Sequence, residues 1–278
     1  SLTRIEPPLH PPGPEKVLQD FGIEPEEFDE KGLLEHVKLY QPNLATTEGI
    51  FAPWAFWKKD FQEIGGHDKL FAPQSKEDSD IFNRFHLNGI KFVQTWEGFV
   101  YHMTSRGSRF NPAAGGAPGK DSPEWIGTTT RNMKEFIRKW GHAIKHDQFM
   151  KPIVPPKYDI GIIIENCTIQ LLEALEPWCS TVYIDLNVEE ISSWILSEHM
   201  KTSFNLIERV NSYKNEKHNE ILVEINGNRF NNEDFRHIQN LPEIISSDDH
   251  IELGEFSLSN LKITINSLNT HEKDLISL

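Results

Sequence analysis

The sequence predicts an α/β protein in two parts, a mixed sheet with helices followed by a small α/β domain. Strand-like runs rich in β-branched residues alternate with amphipathic helical runs, most regularly over residues 158–268, and this alternation favours a partly parallel sheet. Hydrophobic residues make up 37% of the 278 residues and aromatic residues 10%, which is enough to build cores and argues against wholesale disorder. The stretch "KPIVPPK" at residues 151–157 has the composition of a linker. We therefore place a first domain at residues 1–150 and a second at residues 157–278.

The first part combines proline-dense, aromatic and amphipathic segments. Each proline removes a backbone donor and disfavours helix at the residue before it, so the segment "IEPPLHPPGPEK" should be extended and lie on the surface. The predicted elements are, in chain order, this extended segment at residues 5–16, one or two helical turns at 25–40, a short strand and a short helix at 49–64, a helix at 75–88, strands at 90–96 and 98–103, a long loop at 104–125 and a helix at 130–141.

The sequence of the second part, residues 157–278, predicts a more regular α/β pattern. A continuous β-branched run is typical of a buried strand, and Thr168 is a plausible N-cap for the helix after the first such run. The predicted elements are strands at residues 158–165, 180–186, 220–227 and 261–268, a helix at 168–178 and a helix-rich stretch at 189–212. No Gly-rich phosphate loop is present in this part, and its function is not readable from the sequence.

The net charge of −14 argues against a general nucleic-acid binder, because binding a polyanion needs clustered Lys and Arg. Two cysteines, Cys167 and Cys179, are too few for a disulfide scaffold and fit a reducing compartment. No apolar run approaches the ~20 residues that span a bilayer, and no signal peptide is visible. We expect a cytoplasmic protein, with peripheral association with a membrane as an alternative. The chain begins without Met, so we expect the natural protein to extend upstream.

Three acidic residues, Glu77, Asp78 and Asp80, stand at the start of the predicted helix at residues 75–88. Ser75 to Asp78 fits the [ST]-x-x-[DE] pattern of a capping box, and acids in a first turn suit the helix dipole. By spacing, Asp78 lies above the apolar face of the helix, while Asp80 is placed to pair with Arg84. The cluster is therefore an ordinary cap, a solvated patch or a catalytic acid, and spacing alone leaves all three open.

A longer pattern includes these acids. The string Phe61, Ile64-Gly65-Gly66-His67-Asp68, Glu77-Asp78-x-Asp80, Arg84 and Gly89 resembles the acceptor-side signature of family 2 glycosyltransferases, in which Phe is usual at the position of His67. Downstream, "VYH" at residues 100–102 resembles the strand-end histidine of these enzymes, and "NMKEFIRKWG" at residues 132–141 resembles their closing helix. The resemblance covers residues 45–145, and it implies a partial GT-A-like domain that acts on a nucleotide-diphospho-sugar.

The resemblance also implies roles for individual residues. Asp78, with Glu77 beside it, matches the general base that takes the proton from the acceptor hydroxyl in inverting members. His102 matches a position that can complete a site for Mn²⁺ or Mg²⁺, a divalent metal that would neutralise the departing diphosphate. A hydrogen-bonded structural histidine is the alternative. A metal hydrolase that uses His102 with Asp78 is a weaker hypothesis, because the second histidine at ligand spacing is missing.

Further residues are candidates for substrate binding. Gly65, Gly66 and Arg84 belong to the signature itself. Arg106 and Arg109 flank Gly107 in a loop that could close over a diphosphate, or they are solvated surface arginines. Sugar C–H faces pack on aromatic rings, so Trp54, Phe56 and Trp57 could form a stacking wall, although we expect at least two of the three to pack in the core. The candidate substrate-binding residues are thus Trp54, Gly65, Gly66, Arg84, Arg106 and Arg109.

The donor half of the resembling family, with its metal-binding D-x-D, precedes the acceptor half, and no matching D-x-D stands upstream of Gly49. Two hypotheses follow. Either the chain is a metal-dependent glycosyltransferase or its acceptor-binding part, or it is a catalytically incomplete homologue that binds a glycan or a protein partner. The expected ligands are a nucleotide-diphospho-sugar and a glycan or other hydroxyl acceptor. The sequence does not decide whether the protein forms an oligomer.

Overall fold

The computed structural model describes residues 1–103, 109–247 and 252–278, and it confirms the predicted α/β fold. Two mixed sheets, one of four and one of six strands, are each accompanied by helices. No helix in the described residues is long and apolar enough to cross a membrane. Cys167 and Cys179 are both buried and free, so no disulfide joins them.

The first sheet has the strand order β2-β1-β4-β3. Strand β1 lies parallel to both β2 and β4, and β3 pairs antiparallel with β4. Helices flank this sheet and enclose two small apolar clusters, one around Phe82 and Phe85 and one around Phe136 and Trp140. The strands are β1 Leu2–Glu6, β2 Lys16–Leu18, β3 Thr46–Thr47 and β4 Gln94–Tyr101, and the helices are α1 Glu30–Leu39, α2 Lys58–Glu63, α3 Glu77–Leu87 and α4 Pro123–Trp140, with 3₁₀ turns at Pro25–Glu27, Lys69–Phe71 and Pro112–Ala114.

Several boundaries in this part differ from the sequence predictions. The proline-dense segment does not lie wholly on the surface, because Ile5 and Glu6 are buried in the central strand β1. One strand, β4, replaces the two strands predicted at residues 90–103, and no strand forms at residues 49–57. Helix α4 starts seven residues before the predicted Thr130, because Ser122 caps it by accepting from Trp125 N and Pro123 occupies its first position. It ends at Gly141 as predicted, with φ +78°.

The second sheet has the order β7-β6-β5-β8-β10-β9, with β5 to β8 parallel and the last two strands antiparallel. Its continuous Ile and Val runs form the larger apolar core of the chain, as expected of strands covered on both faces. The strands are β5 Ile160–Glu165, β6 Thr181–Ile184, β7 Val210–Ser212, β8 Ile221–Asn226, β9 Gly254–Leu258 and β10 Leu261–Ile265, and the helices are α5 Ile169–Leu175, α6 Val188–His199, α7 Leu206–Arg209, α8 Asn232–Gln239 and α9 Leu241–Ser247.

Helix α4 contacts both parts of the chain. Ile137 packs into the core of the second sheet, while Phe136 and Trp140 pack into a cluster of the first part. Between them, the buried guanidinium of Arg138 lies 2.7 Å from Glu176 and 3.0 Å from Glu198. These carboxylates hold the pKa of Arg138 above its usual value, although burial opposes them. Removing one partner of such a buried pair is strongly destabilising, so this cluster fixes α4 against the second sheet.

Candidate functional site

The turn before helix α3 has an unusual backbone. Ser75 and Lys76 both have positive φ values, +79° and +78°, a conformation that costs a non-glycine residue about 1–2 kcal/mol. The side chain of Asn132, buried in α4, holds this turn in place. Its Nδ2 donates to the carbonyls of Phe71, Gln74 and Ser75 over 2.8, 2.7 and 3.0 Å. The two protons of this amide group are thus shared among three carbonyl oxygens, and helix α4 carries the donor.

The predicted capping box does not form. Lys76, in the left-handed conformation, occupies the N-cap position, and no side chain caps α3. The Ser75 hydroxyl instead contacts the Thr129 hydroxyl of α4 over 2.9 Å. The Glu77 carboxylate interacts with the backbone of Ser75 and of Glu77 itself, and these contacts lower its pKa against the effect of burial. Within the described residues, no such contact engages Asp78, whose pKa is affected only by burial and by His67.

The three acids occupy different environments, and the prediction that only Asp78 lies on the buried side is wrong. Asp80 is completely buried, while Glu77 and Asp78 are half-buried. The predicted pair between Asp80 and Arg84 is present, with both Nε and Nη2 of Arg84 at 2.8 Å from Oδ2. On the other oxygen, Asp80 receives Lys139 Nζ at 2.7 Å and Trp140 Nε1 at 2.9 Å. Asp80 thereby joins the first turn of α3 to the end of α4.

Arg84 also fixes the glycine turn. Its Nη1 donates to Ile64 O over 2.5 Å and its Nη2 to Gly66 O over 2.7 Å. Gly65 and Gly66 have φ values of +81° and +80°, which glycine adopts without strain. Arg84 is completely buried and its donors are engaged within the protein, so the prediction that it binds substrate directly is corrected to a positioning role.

The pKa values of Glu77 and Asp78 are both raised above their usual values. Burial raises the pKa of Asp78 above its usual value, and the nearby His67 opposes this effect. Burial also raises the pKa of Glu77, and the adjacent Asp78 charge adds to the effect. Oε2 of Glu77 is buried without a hydrogen-bond partner among the described residues. Two neighbouring carboxylates whose pKa values are both raised by burial are more typical of a functional site than of a cap.

A second polar centre lies where β1 and β4 end. Glu6 is nearly fully buried, and its Oε2 lies 3.1 Å from Nδ1 of His102. Lys16 Nζ is 2.8 Å from Glu6 Oε1, and Arg4 Nε is 3.0 Å from Oε2 in an ion pair without hydrogen-bond alignment. Burial opposes ionisation of Glu6, yet these partners together hold its pKa at about 2. Glu6 is therefore an ionised carboxylate at neutral pH, next to the imidazole of His102.

The pairing with Glu6 bears on the predicted metal role of His102. A metal-bound histidine usually donates its second ring N–H to a carboxylate, and His102 has this arrangement at Nδ1 while its side chain stays 51% exposed. Among the residues that the structure describes, however, no group of three His, Cys, Asp or Glu is placed to hold a metal ion. His102 fits as one oriented ligand, and the described residues do not form a complete site around it.

Arg109 interacts with the proline-dense segment and with the turn before α3. Its guanidinium contacts Asp121 over 2.6 Å and His10 Nδ1 over 3.2 Å. The Arg109 charge also helps to lower the pKa of Lys76, although burial is the larger cause. His10 in turn has its pKa lowered by burial, an effect that the Glu6 charge opposes. Arg109 thus contacts His10 directly and acts electrostatically on Lys76, which belongs to the acidic turn, residues 75–80.

The remaining predicted residues have mixed positions. Arg106 lies outside the described residues. Trp54 packs on Phe82 and Phe85 with ring centroids 5.1 and 6.2 Å apart. Phe56 contacts Trp54 at 4.9 Å, while Trp57 is 75% exposed. Trp54 alone of the three packs against a core cluster, while Phe56 and Trp57 are both exposed. The prediction that at least two of them pack in the core is therefore wrong.

Three residues of the site were missed by sequence reasoning. Glu6 and His10 fall in the proline-dense segment, and no pattern in that segment indicates a buried strand. Asn132 opens the quoted stretch "NMKEFIRKWG", and a lone Asn at the centre of an amphipathic helix was the one available signal. Only the tertiary contacts give these three residues their roles.

In the second part, the loops at the carboxyl ends of β5 and β6 are closed by their own side chains. Asp185 accepts from the backbone N–H groups of Asn166 and Cys167 over 2.7 and 2.9 Å. A carboxylate of the protein thus occupies the donors that would otherwise face an anion at this sheet edge.

The chain matches no family model, no curated protein and no solved structure, so its function has to be argued from the site itself.

Proposed function

We propose that the chain is a glycosyltransferase that moves a sugar from a nucleotide-diphospho-sugar to an acceptor hydroxyl, with inversion at the anomeric carbon. The observation that carries the proposal is the Glu77–Asp78 pair. These half-buried carboxylates have raised pKa values and stand on a turn held by Asn132. A general base needs such a combination of an accessible lone pair and a rigid mount.

In the proposed step, Asp78 accepts the proton of the acceptor hydroxyl while the hydroxyl oxygen attacks the anomeric carbon. The bond between that carbon and the diphosphate oxygen breaks, and its electron pair leaves with the nucleoside diphosphate. Asp78 ends the step protonated, and its raised pKa makes it a stronger base than an exposed aspartate. Glu77 keeps a second negative charge close to the base.

Charged side chains next to the acidic turn suit the donor substrate, the nucleotide-diphospho-sugar. Arg109 and Lys76 are close enough to influence each other electrostatically, and their charges would favour an anionic diphosphate. A divalent ion such as Mn²⁺ or Mg²⁺, when bound, would neutralise the leaving diphosphate. His102 would supply one of its ligands, oriented by Glu6.

The test is release of nucleoside diphosphate from a panel of nucleotide-diphospho-sugars, with mixed oligosaccharides as acceptors and Mn²⁺ present. We expect Asp78→Asn to lower turnover by at least about a hundredfold, since a general base contributes about 10²–10⁴. The matched control is Glu63→Gln, which changes an exposed carboxylate on α2. Turnover of the active protein should rise as Asp78 deprotonates, above the usual aspartate range. Full turnover in Asp78→Asn would remove this residue as the base.

A binding module without turnover is the second candidate. Two observations favour it: no D-x-D stands upstream of the acidic turn, and no three-ligand metal group is found in residues 1–103, 109–247 and 252–278. In that case the chain would bind oligosaccharides but release no nucleoside diphosphate from any donor. The same assay therefore separates the two candidates.

A further inference from the structure

A cleft of about 350 Å³ opens on the first sheet, between elements that do not carry the acidic turn. Its walls come from the proline-dense segment, the end of α1, strands β3 and β4, and the segment before residue 151. The volume falls in the range of small-ligand sites. The residues that the argument uses are Lys16, Tyr40, Asn43, Thr47, Trp96 and Phe149.

The aromatic side of the cleft is held rigidly. Trp96 Nε1 donates to Thr47 Oγ1 over 3.1 Å, which fixes the indole against β3. The Tyr40 ring packs edge-on against Phe99, with centroids 5.1 Å apart. Phe149 N donates to Asp147 Oδ1 over 2.8 Å. The bond at Phe149 fixes its backbone, whereas the contacts of Trp96 and Tyr40 hold their rings directly. Aromatic rings that are held in this way can bind the face of a ligand without a large loss of side-chain entropy.

The polar side of the cleft has groups available to a ligand. Neither the Tyr40 hydroxyl nor the Asn43 side-chain amide has a hydrogen-bond partner within the described parts of the chain. Neither is among the buried polar atoms that lack partners, so water reaches both groups. Together they offer donors and acceptors next to the aromatic surface.

The charge of the cleft excludes an anionic ligand. Among the described residues that line the cleft, Lys16 is the one cation, and its side chain is only 7% exposed. Its ammonium lies 2.8 Å from Glu6 and 3.6 Å from Glu15, so two carboxylates already compensate its charge. A phosphate or carboxylate would therefore meet no uncompensated cation.

From this combination we infer that the cleft binds a neutral saccharide, at a site separate from Asp78. A sugar presents C–H faces that pack on aromatic rings and a rim of hydroxyls that can both donate to and accept from Tyr40 and Asn43. This inference does not depend on transferase activity, because no lining residue belongs to the acidic turn.

The experiment is a titration of the full chain with glucose, galactose and N-acetylglucosamine up to tens of millimolar, followed by ligand-observed NMR and calorimetry. Glucuronic acid and uridine are the comparison ligands. We expect saturable binding of at least one neutral sugar, weaker binding of glucuronic acid, and no competition by uridine.

Two cleft variants, Asn43→Ala and Tyr40→Phe, change partly exposed side chains and so should fold normally, which their melting temperatures check. Each should weaken sugar binding by about threefold to tenfold, the worth of a hydrogen bond. The matched controls, Asn228→Ala and Tyr213→Phe, lie outside the cleft and should leave the affinity unchanged.

Asp78→Asn should also leave this affinity unchanged, which separates the cleft from the proposed transfer site. Absence of saturable binding by all three neutral sugars would overturn the inference. So would unchanged affinity in both cleft variants, or tighter binding of glucuronic acid or uridine than of any neutral sugar.

Discussion

The Trp140 indole donates its Nε1 proton to Oδ1 of Asp80 over 2.9 Å, across 60 positions of sequence. This bond, with the contact from Lys139 to the same oxygen, joins the closing helix α4 to the helix that begins with the acidic turn. Most residues of the glycosyltransferase-like pattern are therefore structural supports. Glu77 and Asp78 remain the members of the acidic cluster that are still available for chemistry.

Asp80→Asn should lower the free energy of unfolding by about 3–5 kcal/mol, because it leaves the buried Arg84 without its anion. It also removes one of the two carboxylates that pair with Lys139, which keeps its contact with Asp68. The asparagine oxygen can still accept from Trp140, so the loss reports mainly the missing charge. Denaturant unfolding measures it, with Glu63→Gln as the exposed control. A loss below about 1 kcal/mol would mean that the pair contributes little.

Asn132→Ala should lower the free energy of unfolding by about 2–4 kcal/mol, since it removes the shared donor of three backbone carbonyls. It should also loosen the turn that carries Asp78. Hydrogen exchange of the amides at residues 72–78 should become faster, while exchange in β5 stays unchanged until global unfolding. Equal protection of residues 72–78 in both proteins would contradict the role assigned to Asn132, for which Asn228→Ala is the control.

Glu6→Gln should destabilise the protein in a pH-dependent way. The Glu6 pKa is lowered from 4.5 to about 2 in the folded protein, which at about 1.4 kcal/mol per unit corresponds to about 3 kcal/mol at neutral pH. A lowered carboxyl pKa stabilises above the unfolded value, so the contribution is lost as pH falls from 4.5 towards 2. Stability of both proteins measured across this window checks the sign, with Glu97→Gln as the exposed control.

Asp78→Asn should have the opposite effect and stabilise the protein at pH 7. The folded-state pKa of Asp78 is raised, so the unfolded chain ionises first as pH rises, and ionisation of Asp78 destabilises the fold at neutral pH. The gain should vanish below the unfolded pKa, at about pH 2.5. Melting temperatures at the two pH values measure it, and a loss of stability at pH 7 would show that Asp78 is a supporting residue.

The sequence by itself determined the α/β class, because the period of its apolar residues and the stop at Gly141 are local properties of the chain. It also determined the pairing of Asp80 with Arg84, since residues four apart on a helix share a face. The failed predictions concern contacts that local spacing does not contain. The capping box at Ser75 gave way to a bond with Thr129, which belongs to a distant helix.

Tertiary structure alone decided which polar residues are buried and which are available. Asp80 and Arg84 belong to the same helical pattern as Asp78, yet α4 and the Gly65–Gly66 turn cover the first two and leave Asp78 half-exposed. Glu6 becomes a charged group under His102 because β1 and β4 run parallel and end at the same edge of the sheet. Burial and the choice of partners depend on which segments are adjacent in the fold. Glu6 and His102 are 96 positions apart along the chain, and local sequence patterns do not indicate that they are in contact.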